Sequence, residues 1–150
     1  MGASGSVDLA TLDGSNGFVI NGVSDGDRSG EAVSAAGDVF GISGDDFLRG
    51  RSGADRIFGG PGEDLINGDG GNDILDGGDD DDLVFGGGGL DRVAGRNGSD
   101  VLFGGPGNDA LFGGASTDDL NGGAGADLLN GGNGTDNCVA DSADSVTRCE

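Results

Sequence analysis

One apolar position recurs every nine residues along residues 41–139, and its flanking positions are more variable and often polar. Written in register, this stretch contains eleven units of nine residues without insertion or deletion. In the last three places of each unit, side chains would point outward, inward and outward, which is the period of a β-strand. We therefore predict one short strand per unit. The inward eighth places are Leu48, Ile57, Ile66, Leu75, Val84, Val93, Leu102, Leu111, Leu120, Leu129 and Cys138.

Glycine and aspartate fill the other regular positions of the unit. The first place is always glycine, and the fourth is glycine in all units but two, where Asp80 and Ser116 stand. Both residue types suit tight turns, so the first six places are predicted to form a turn. A strand of about three residues must stack on copies of itself, which predicts a solenoid. The sixth place is always aspartate: Asp46, Asp55, Asp64, Asp73, Asp82, Asp91, Asp100, Asp109, Asp118, Asp127 and Asp136.

Charge restricts the class of partner. The formal net charge is −21, and the chain contains no histidine, lysine, tryptophan or tyrosine. Such a charge argues against nucleic acid and anionic membranes as partners and favours cations. No apolar run approaches the roughly 18 residues of a membrane span. No secretion signal follows Met1, so we expect an exported protein to have lost its signal or to carry it elsewhere.

The aspartate column predicts a metal. Stacked coils would place the sixth-place carboxylates of every second unit next to one another, and like charges repel. Calcium takes six to eight oxygen ligands, including turn carbonyls, whereas magnesium demands tighter octahedral geometry. A solvated acidic face would not explain an all-aspartate column in a chain with only three glutamates. Counting the intervals between like-facing aspartates predicts up to nine calcium ions.

The unit resembles the RTX (hemolysin-type) calcium-binding nonapeptide repeat in its glycines, its sixth-place aspartate and its apolar eighth place. The resemblance covers two-thirds of the chain. It implies an all-β fold, a right-handed parallel β-roll in which two units form one coil and calcium lies in the turns between coils. Eleven units would give about five and a half coils, roughly 25 Å long.

Both ends differ from the repeat, which suggests three segments: an N-terminal β cap or linker (1–40), the roll (41–139) and a C-terminal cap (140–150). Residues 12–22 read as a hairpin or a single strand, and a second strand is possible at Val39 and Phe40. Residues 12–40 resemble part of an FG-GAP (integrin-type) blade. In that family, the following loop supplies carboxylates for calcium; here Phe40 and Ile42 take those places. The resemblance implies a cap whose calcium loop is lost.

The two cysteines are close to the C-terminus. Cys138 occupies an inward eighth place, and Cys149 lies in the segment that leaves the register. A disulfide between them would fold the tail across the open end of the roll and would suit an oxidising, extracellular compartment. The alternative is two unrelated thiols.

Some units depart from the common pattern. Asp80 and Ser116 replace turn glycines, which predicts backbone strain there, and Arg51, Arg96 and Ile42 fill second places usually held by glycine. We therefore expect some metal sites to be poorer than others. Four consecutive aspartates at residues 79–82 would either tighten one site or bind an additional ion.

One row of outward apolar residues is predicted to lie on a single sheet: Leu65, Leu83, Phe85, Val101 and Phe103. Strand preference alone can explain such residues. The alternative is a patch that docks another domain or a second roll.

Three classes of function remain open. We favour a secreted, calcium-dependent structural module. A ligand-binding adhesin face is the second class, but ice would want a regular row of threonine or asparagine, and Arg49, Arg51 and Arg56 form only a small basic cluster for a polysaccharide. An enzyme is disfavoured because carboxylates, arginines and hydroxyls alone remain for catalysis. An accessory domain of a secreted enzyme stays possible.

Overall fold

The computed structural model describes residues 38–41 and 43–150, and within these ranges the chain contains strands and turns but no helix. No segment of them could therefore cross a membrane as a helix. The strands are β1 (Asp38–Phe40), β2 (Phe47–Arg49), β3 (Arg56–Pro61), β4 (Leu65–Asn67), β5 (Ile74–Asp79), β6 (Leu83–Phe85), β7 (Arg92–Asn97), β8 (Val101–Pro106), β9 (Ala110–Ala115), β10 (Asp119–Ala124), β11 (Leu128–Asn133), β12 (Asn137–Val139) and β13 (Ser145–Thr147).

Successive strands alternate between two parallel sheets. The odd-numbered strands form a seven-stranded sheet and the even-numbered strands a six-stranded sheet, each in sequence order. Ile57 pairs with Leu75, and Ile66 with Val84, so two units complete one coil. The prediction of an all-β parallel β-roll is confirmed, with about six turns.

A single column of side chains forms the core between the sheets. The eighth-place residues from Leu48 to Leu129 are at most 1% exposed, and Val39 extends the column by one place. Neighbouring seventh and ninth places are half-buried or exposed, as the alternation predicts. Cys138 is only partly buried and packs against the end of the core.

Many strands are longer than the three residues that the sequence predicts. β3 continues through Gly59 and Gly60 to Pro61, and six more strands have the same length. Gly60 pairs with Gly78 in the next coil, so backbone pairing between coils extends the strands into places of low strand propensity. The prediction of a six-residue turn was wrong in these units, because exact stacking gives even a glycine backbone a partner.

The stack begins and ends beyond the glycine repeat. β1 pairs with β3 in the same register as the repeat units, with Val39 beside Ile57, which confirms the strand suggested at Val39 and Phe40. The other predictions for the N-terminal segment, namely the hairpin, the cap and most of the FG-GAP resemblance, lie outside the described residues. At the other end, β13 pairs with β11 one residue out of step, with Leu129 beside Val146.

The predicted apolar row does lie on one sheet. Leu65, Leu83 and Val101 occupy equivalent positions of β4, β6 and β8 in the six-stranded sheet, and all three are half-buried. The rings of Phe85 and Phe103 stack on the same face, with centroids 5.0 Å apart. The opposite sheet mixes charges with aromatic rings instead: Arg92 lies 4.3 Å above the ring of Phe112.

Candidate metal centre

The sixth-place aspartates are as buried as the apolar core. All eleven are between 0% and 4% exposed. Each follows a tight turn that contains at least one glycine with positive φ, such as Gly60 (110°) and Gly62 (130°) before Asp64. The turn directs the carboxylate inward, back toward the first glycine of its own unit. Burial of a charged group is costly unless the group is paired, so each carboxylate oxygen needs a partner.

In nine of the units, one oxygen of the carboxylate takes part in a ladder along the roll. Asp64 Oδ1, for example, accepts the backbone N–H of Asp46, and Asp82 Oδ1 accepts that of Asp64. Nine such bonds of 2.8–3.0 Å join every pair of like-facing aspartates from Asp46–Asp64 to Asp118–Asp136. The structure therefore brings together all the aspartates that the sequence predicts to face one another.

The second oxygen of the carboxylate has no such partner. In nine units, Oδ2 is buried and no hydrogen bond reaches it from the described residues. A buried acceptor without a donor costs roughly 1–3 kcal/mol, and more when it is charged. Such a column of buried carboxylate oxygens requires a positively charged partner. The nine residues are Asp64, Asp73, Asp82, Asp91, Asp100, Asp109, Asp118, Asp127 and Asp136.

The first-place glycines leave open the space beside these oxygens. A β-carbon on Gly68 would stand 2.5 Å from Asp73 Oδ2 and 2.4 Å from the carbonyl oxygen of Gly86 in the next coil. Gly113 repeats this arrangement, with Asp118 Oδ2 at 2.3 Å and the Gly131 carbonyl oxygen at 2.4 Å. A carboxylate oxygen and a carbonyl oxygen thus converge in each of these turns, and any side chain at the first place would displace them.

This donor set suits calcium. It consists of hard oxygens only, from one carboxylate and from backbone carbonyls, which are the ligands that calcium accepts at variable geometry. No three acidic, histidine or cysteine side chains gather at one point in the part of the chain that the structure describes. Backbone carbonyls must therefore complete any site here. The sixth-place aspartates could hold the ion together with the carbonyls of the turns.

Burial raises the pKa of seven of these carboxyl groups: Asp64, Asp73, Asp82, Asp91, Asp100, Asp109 and Asp118. Desolvation disfavours the charged form, and neighbouring aspartates add to the effect, whereas the ladder N–H groups oppose it. The pKa of Asp82 rises from 3.8 to about 8, with Asp64, Asp100 and Asp80 as its charged neighbours. A smaller rise, to about 6, affects Asp64, Asp73, Asp100 and Asp118. A bound cation would favour the charged form and reverse this effect.

A second ladder uses the fifth place, which the sequence reasoning missed. Asn72 Oδ1 accepts the N–H of Leu90 one coil later, and Asn108 Oδ1 accepts that of Ala126. Asp81 does the same for Ser99 at 2.7 Å. The signal was present as a partial enrichment of aspartate and asparagine before the sixth place. These side chains are engaged in hydrogen bonds at the surface of the turn.

The backbone strain that the sequence predicts at Asp80 and Ser116 is present, and several second places of the units share it. Positive φ occurs at Arg51 (78°), Asp80 (77°), Arg96 (87°) and Ser116 (85°), and also at Asp69 (68°), which the sequence reasoning overlooked.

Asp69 and Arg96 each form an ion pair between coils. Arg49 Nε lies 2.5 Å from Asp69 Oδ2, and Arg96 pairs with Asp76. In each pair, a ninth-place and a second-place side chain meet across neighbouring coils. Exposed pairs of this kind contribute little to stability, so they are compatible with the turns rather than essential to them.

The C-terminal tail closes onto the last coil. The predicted disulfide is present between Cys138 and Cys149, whose Cα atoms are 5.8 Å apart. Asp144 Oδ1 accepts the N–H of Asp127 at 2.9 Å, as a repeat aspartate would. Its Oδ2, however, accepts the N–H of Asp141 at 2.7 Å. The tail therefore supplies a twelfth carboxylate to the ladder, with both oxygens hydrogen-bonded.

Comparison with known families agrees with this geometry. The model of the RTX calcium-binding nonapeptide repeat, which spans four copies, matches residues 40–75, 59–93, 76–111, 85–120 and 112–145. Together these matches extend over more than half of the chain. No curated protein and no solved structure matches it.

Proposed function

We propose that this chain, which belongs to the RTX calcium-binding nonapeptide repeat family, is a secreted structural module that folds into its roll when calcium binds between the coils. One observation carries the proposal: nine buried aspartate Oδ2 atoms stand in a single repeating environment, each without a hydrogen-bond donor among the described residues. The sixth-place aspartates would be the side-chain ligands, and carbonyls such as that of Gly86 would complete the coordination.

Calcium-dependent folding follows from the energetics of the turns. The ladder places charged carboxylates one coil apart along both edges of the roll, in a chain of net charge −21. The sites do not exist in the unfolded chain, so the free energy of binding becomes free energy of folding. Glycine-rich turns add to the entropy that binding must offset.

The proposed stoichiometry is up to nine ions in the repeats, one for each interval that a ladder bond spans. Five intervals lie along the edge from Asp46 to Asp136, and four along the edge from Asp55 to Asp127. Nine divalent cations would offset most of the negative charge. This number also supports calcium as a structural component rather than as an occasional ligand.

Calcium titration of the chelated full-length chain, followed by far-ultraviolet circular dichroism, tests this proposal. We expect the chelated chain to lack most of its β-sheet signal at neutral pH and to recover it cooperatively with calcium, but not with equal magnesium. Full β-sheet signal and cooperative melting in chelator would contradict the proposal.

An extracellular location is supported by the disulfide, since such bonds persist in oxidising compartments. Extracellular calcium modules bind with dissociation constants of roughly 0.1–1 mM. We expect half-maximal folding in that range. Folding that is complete below about 1 μM calcium would instead fit an intracellular sensor or buffer.

The proposed role is structural rather than catalytic, because the buried carboxylates are engaged by the turns. A polysaccharide-binding or ice-binding face and an accessory role beside a secreted enzyme remain alternatives, and no particular observation favours them. Docking or self-association through the row of Leu65, Leu83, Phe85, Val101 and Phe103 stays a prediction. Its half-buried side chains and stacked rings are compatible with strand packing alone.

A further inference from the structure

The last turn of the roll, residues 131–136, is completed by the tail instead of by another repeat unit. A β-carbon on Gly131 would stand 2.4 Å from Asp136 Oδ2 and 2.3 Å from the carbonyl oxygen of Arg148. In the inner turns, the equivalent carbonyl belongs to the first-place glycine two units later, as Gly86 does for Gly68. Arg148 therefore takes the place of that glycine.

Asp136 is buried and hydrogen-bonded in the same way as the inner sixth-place aspartates. It is 1% exposed, and its Oδ1 accepts the N–H of Asp118 at 3.0 Å. Its Oδ2 is buried and receives no hydrogen bond from the described residues. Asp136 bounds the last of the nine ladder intervals through its Oδ1, whereas the space beside its Oδ2 faces the tail instead of a further repeat unit, so a site there would lie beyond the nine intervals.

The disulfide fixes the position of the Arg148 carbonyl. Thr147 pairs with Asn130 at the end of β13, and the next residue but one is Cys149, bonded to Cys138. The N–H of Glu150 donates to the carbonyl of Asp136 at 2.9 Å. Arg148 itself has a φ of 51°, an unusual value for a residue other than glycine, which aims its peptide group differently from that of an ordinary strand.

The other tail carboxylate does not create a comparable site. Asp144 accepts one N–H on each oxygen, from Asp127 and from Asp141, so it is satisfied without a cation. The contrast with Asp136 separates the two functions of the tail. Asp144 continues the ladder, and Arg148 supplies an oxygen to an otherwise unsatisfied turn.

We propose that the disulfide-bonded tail completes one further calcium site at the last turn, with Asp136 Oδ2 and the Arg148 carbonyl oxygen among its ligands, so that the Cys138–Cys149 bond controls its occupancy. This inference rests on the proposed calcium-binding function of the repeats. A dithiol reductant would transfer two electrons and two protons to the disulfide, which gives two thiols and the oxidised reductant. The released tail would then no longer hold the Arg148 carbonyl beside Asp136.

The test counts bound calcium per chain by equilibrium dialysis at saturating calcium, with the full-length protein oxidised, reduced with dithiothreitol, and reoxidised. We expect one ion fewer in the reduced chain and its return on reoxidation, while circular dichroism shows that the roll persists. The Cys138→Ser/Cys149→Ser variant should bind the reduced number and should not respond to dithiothreitol.

A second variant identifies the turn from which the ion is lost. Asp136→Asn retains an Oδ1 acceptor for the Asp118 N–H but replaces Oδ2 with a nitrogen that does not bind calcium. It should lose one ion when the cysteines are present and no further ion in the double-serine background. Asp118→Asn is the matched control, because it should lose an ion in both backgrounds.

The possible failures are distinguishable. An oxidised wild-type chain that binds no calcium would overturn the proposed function itself. Calcium binding that is normal and unchanged by reduction would leave that function standing and overturn the redox-dependent site. Equal losses for Asp136→Asn in both backgrounds would likewise show that the site does not need the disulfide.

Discussion

The repeat body (residues 41–139) and the tail (140–150) each supply a carboxylate that accepts the N–H of a sixth-place aspartate. In the body, Asp109 Oδ1 accepts the N–H of Asp91; at the end of the body, Asp144 Oδ1 accepts the N–H of Asp127 in the same manner. The two carboxylates differ in their second oxygen. Asp109 Oδ2 is buried and receives no hydrogen bond within the part of the chain that the structure describes, whereas Asp144 Oδ2 accepts the N–H of Asp141.

The comparison separates what forms the coil from what requires a cation. A ladder bond to Oδ1 is sufficient to hold a carboxylate in register, since both regions have it. Under the proposed function, a need for metal would arise only where the turn folds Oδ2 into the interior without offering an N–H group. A short turn within the tail offers one, and the disulfide holds that turn in place. Conditions or substitutions that remove or enlarge this difference in the second oxygen test its role.

Acid should remove the difference between the two carboxylates. This is the largest expected effect, because acid acts on many aspartates at once. The raised pKa values, about 6 for Asp64, Asp73, Asp100 and Asp118 and about 8 for Asp82, mean that the metal-free roll binds protons more tightly than the unfolded chain. Protonation therefore stabilises the metal-free roll below about pH 4, and this stabilisation is lost as the pH rises through about 6 to 8.

We expect chelated protein to gain β-sheet signal on acidification, while the affinity for calcium, which competes with protons, falls over the same range. Circular dichroism in chelator between pH 4 and pH 8 measures the first effect, and calcium titrations at each pH measure the second. A metal-free chain whose β-sheet content increases with pH would contradict the proposed origin of the metal requirement.

Removal of one carboxylate from each region should sharpen the comparison. Asp100→Ala leaves the N–H of Asp82 without its acceptor and removes a proposed ligand, so we expect a loss of about 3 kcal/mol in the calcium-loaded state and at least one ion. Asp144→Ala should cost about 1–2 kcal/mol and no ion, because the disulfide still holds the tail. Chemical denaturation and calcium counting measure both. Equal losses of calcium from the two variants would erase the distinction.

The first-place glycine should tolerate a side chain only where no coil follows. Gly68→Ala would place a methyl group against Asp73 Oδ2 and the Gly86 carbonyl, at an expected cost of about 1–3 kcal/mol. In the same turn, a β-carbon on Gly70 would meet only the Arg51 carbonyl at 3.8 Å, so Gly70→Ala is the matched control. At the tail, Arg148 takes the place of a first-place glycine and no further coil follows, so Arg148→Ala should change the melting temperature little. If Gly68→Ala melts like Gly70→Ala, the close approach is not required.

The smallest effect concerns turn strain within the body. Ser116 has a φ of 85°, and Ser116→Gly should stabilise the calcium-loaded roll by about 0.5–1 kcal/mol. Ser99 is also an exposed serine of a turn, but its φ is not positive, so Ser99→Gly should instead destabilise by a similar amount. The two melting temperatures should therefore shift in opposite directions. A shift in the same direction would mean that composition, and not backbone conformation, sets the effect.

The repeat columns made the body predictable. Strict spacing of Leu102, Asp100 and Gly104 and their equivalents is sufficient to give the parallel stack, the core column and the facing aspartates. Positive φ at Asp80 and Ser116 followed in the same way from the glycines that they replace. These properties are predictable because each is decided by one unit and its copy in the next coil.

The tail and the strand lengths were less predictable, because they depend on tertiary context. Asp144 stands one residue short of the repeat spacing, so the pattern alone does not show that it joins the ladder. Nor does local propensity place Gly60 in a strand; its pairing with Gly78 does. The different roles of the two carboxylate oxygens also cannot be predicted from the sequence, since they depend on which N–H group each turn presents.

The pairing of every strand with the strand two units later makes two units the smallest change that preserves the surface. Loss of a single nine-residue unit would keep every column of glycine, aspartate and leucine intact, yet it would transfer all later strands to the opposite sheet. Loss of the unit at residues 86–94, for example, would move Phe103 off its stack on Phe85 and split the apolar row between two faces. Loss of two units would shorten the roll without exchanging its faces. Insertions and deletions that spare the exterior should therefore come in multiples of 18 residues.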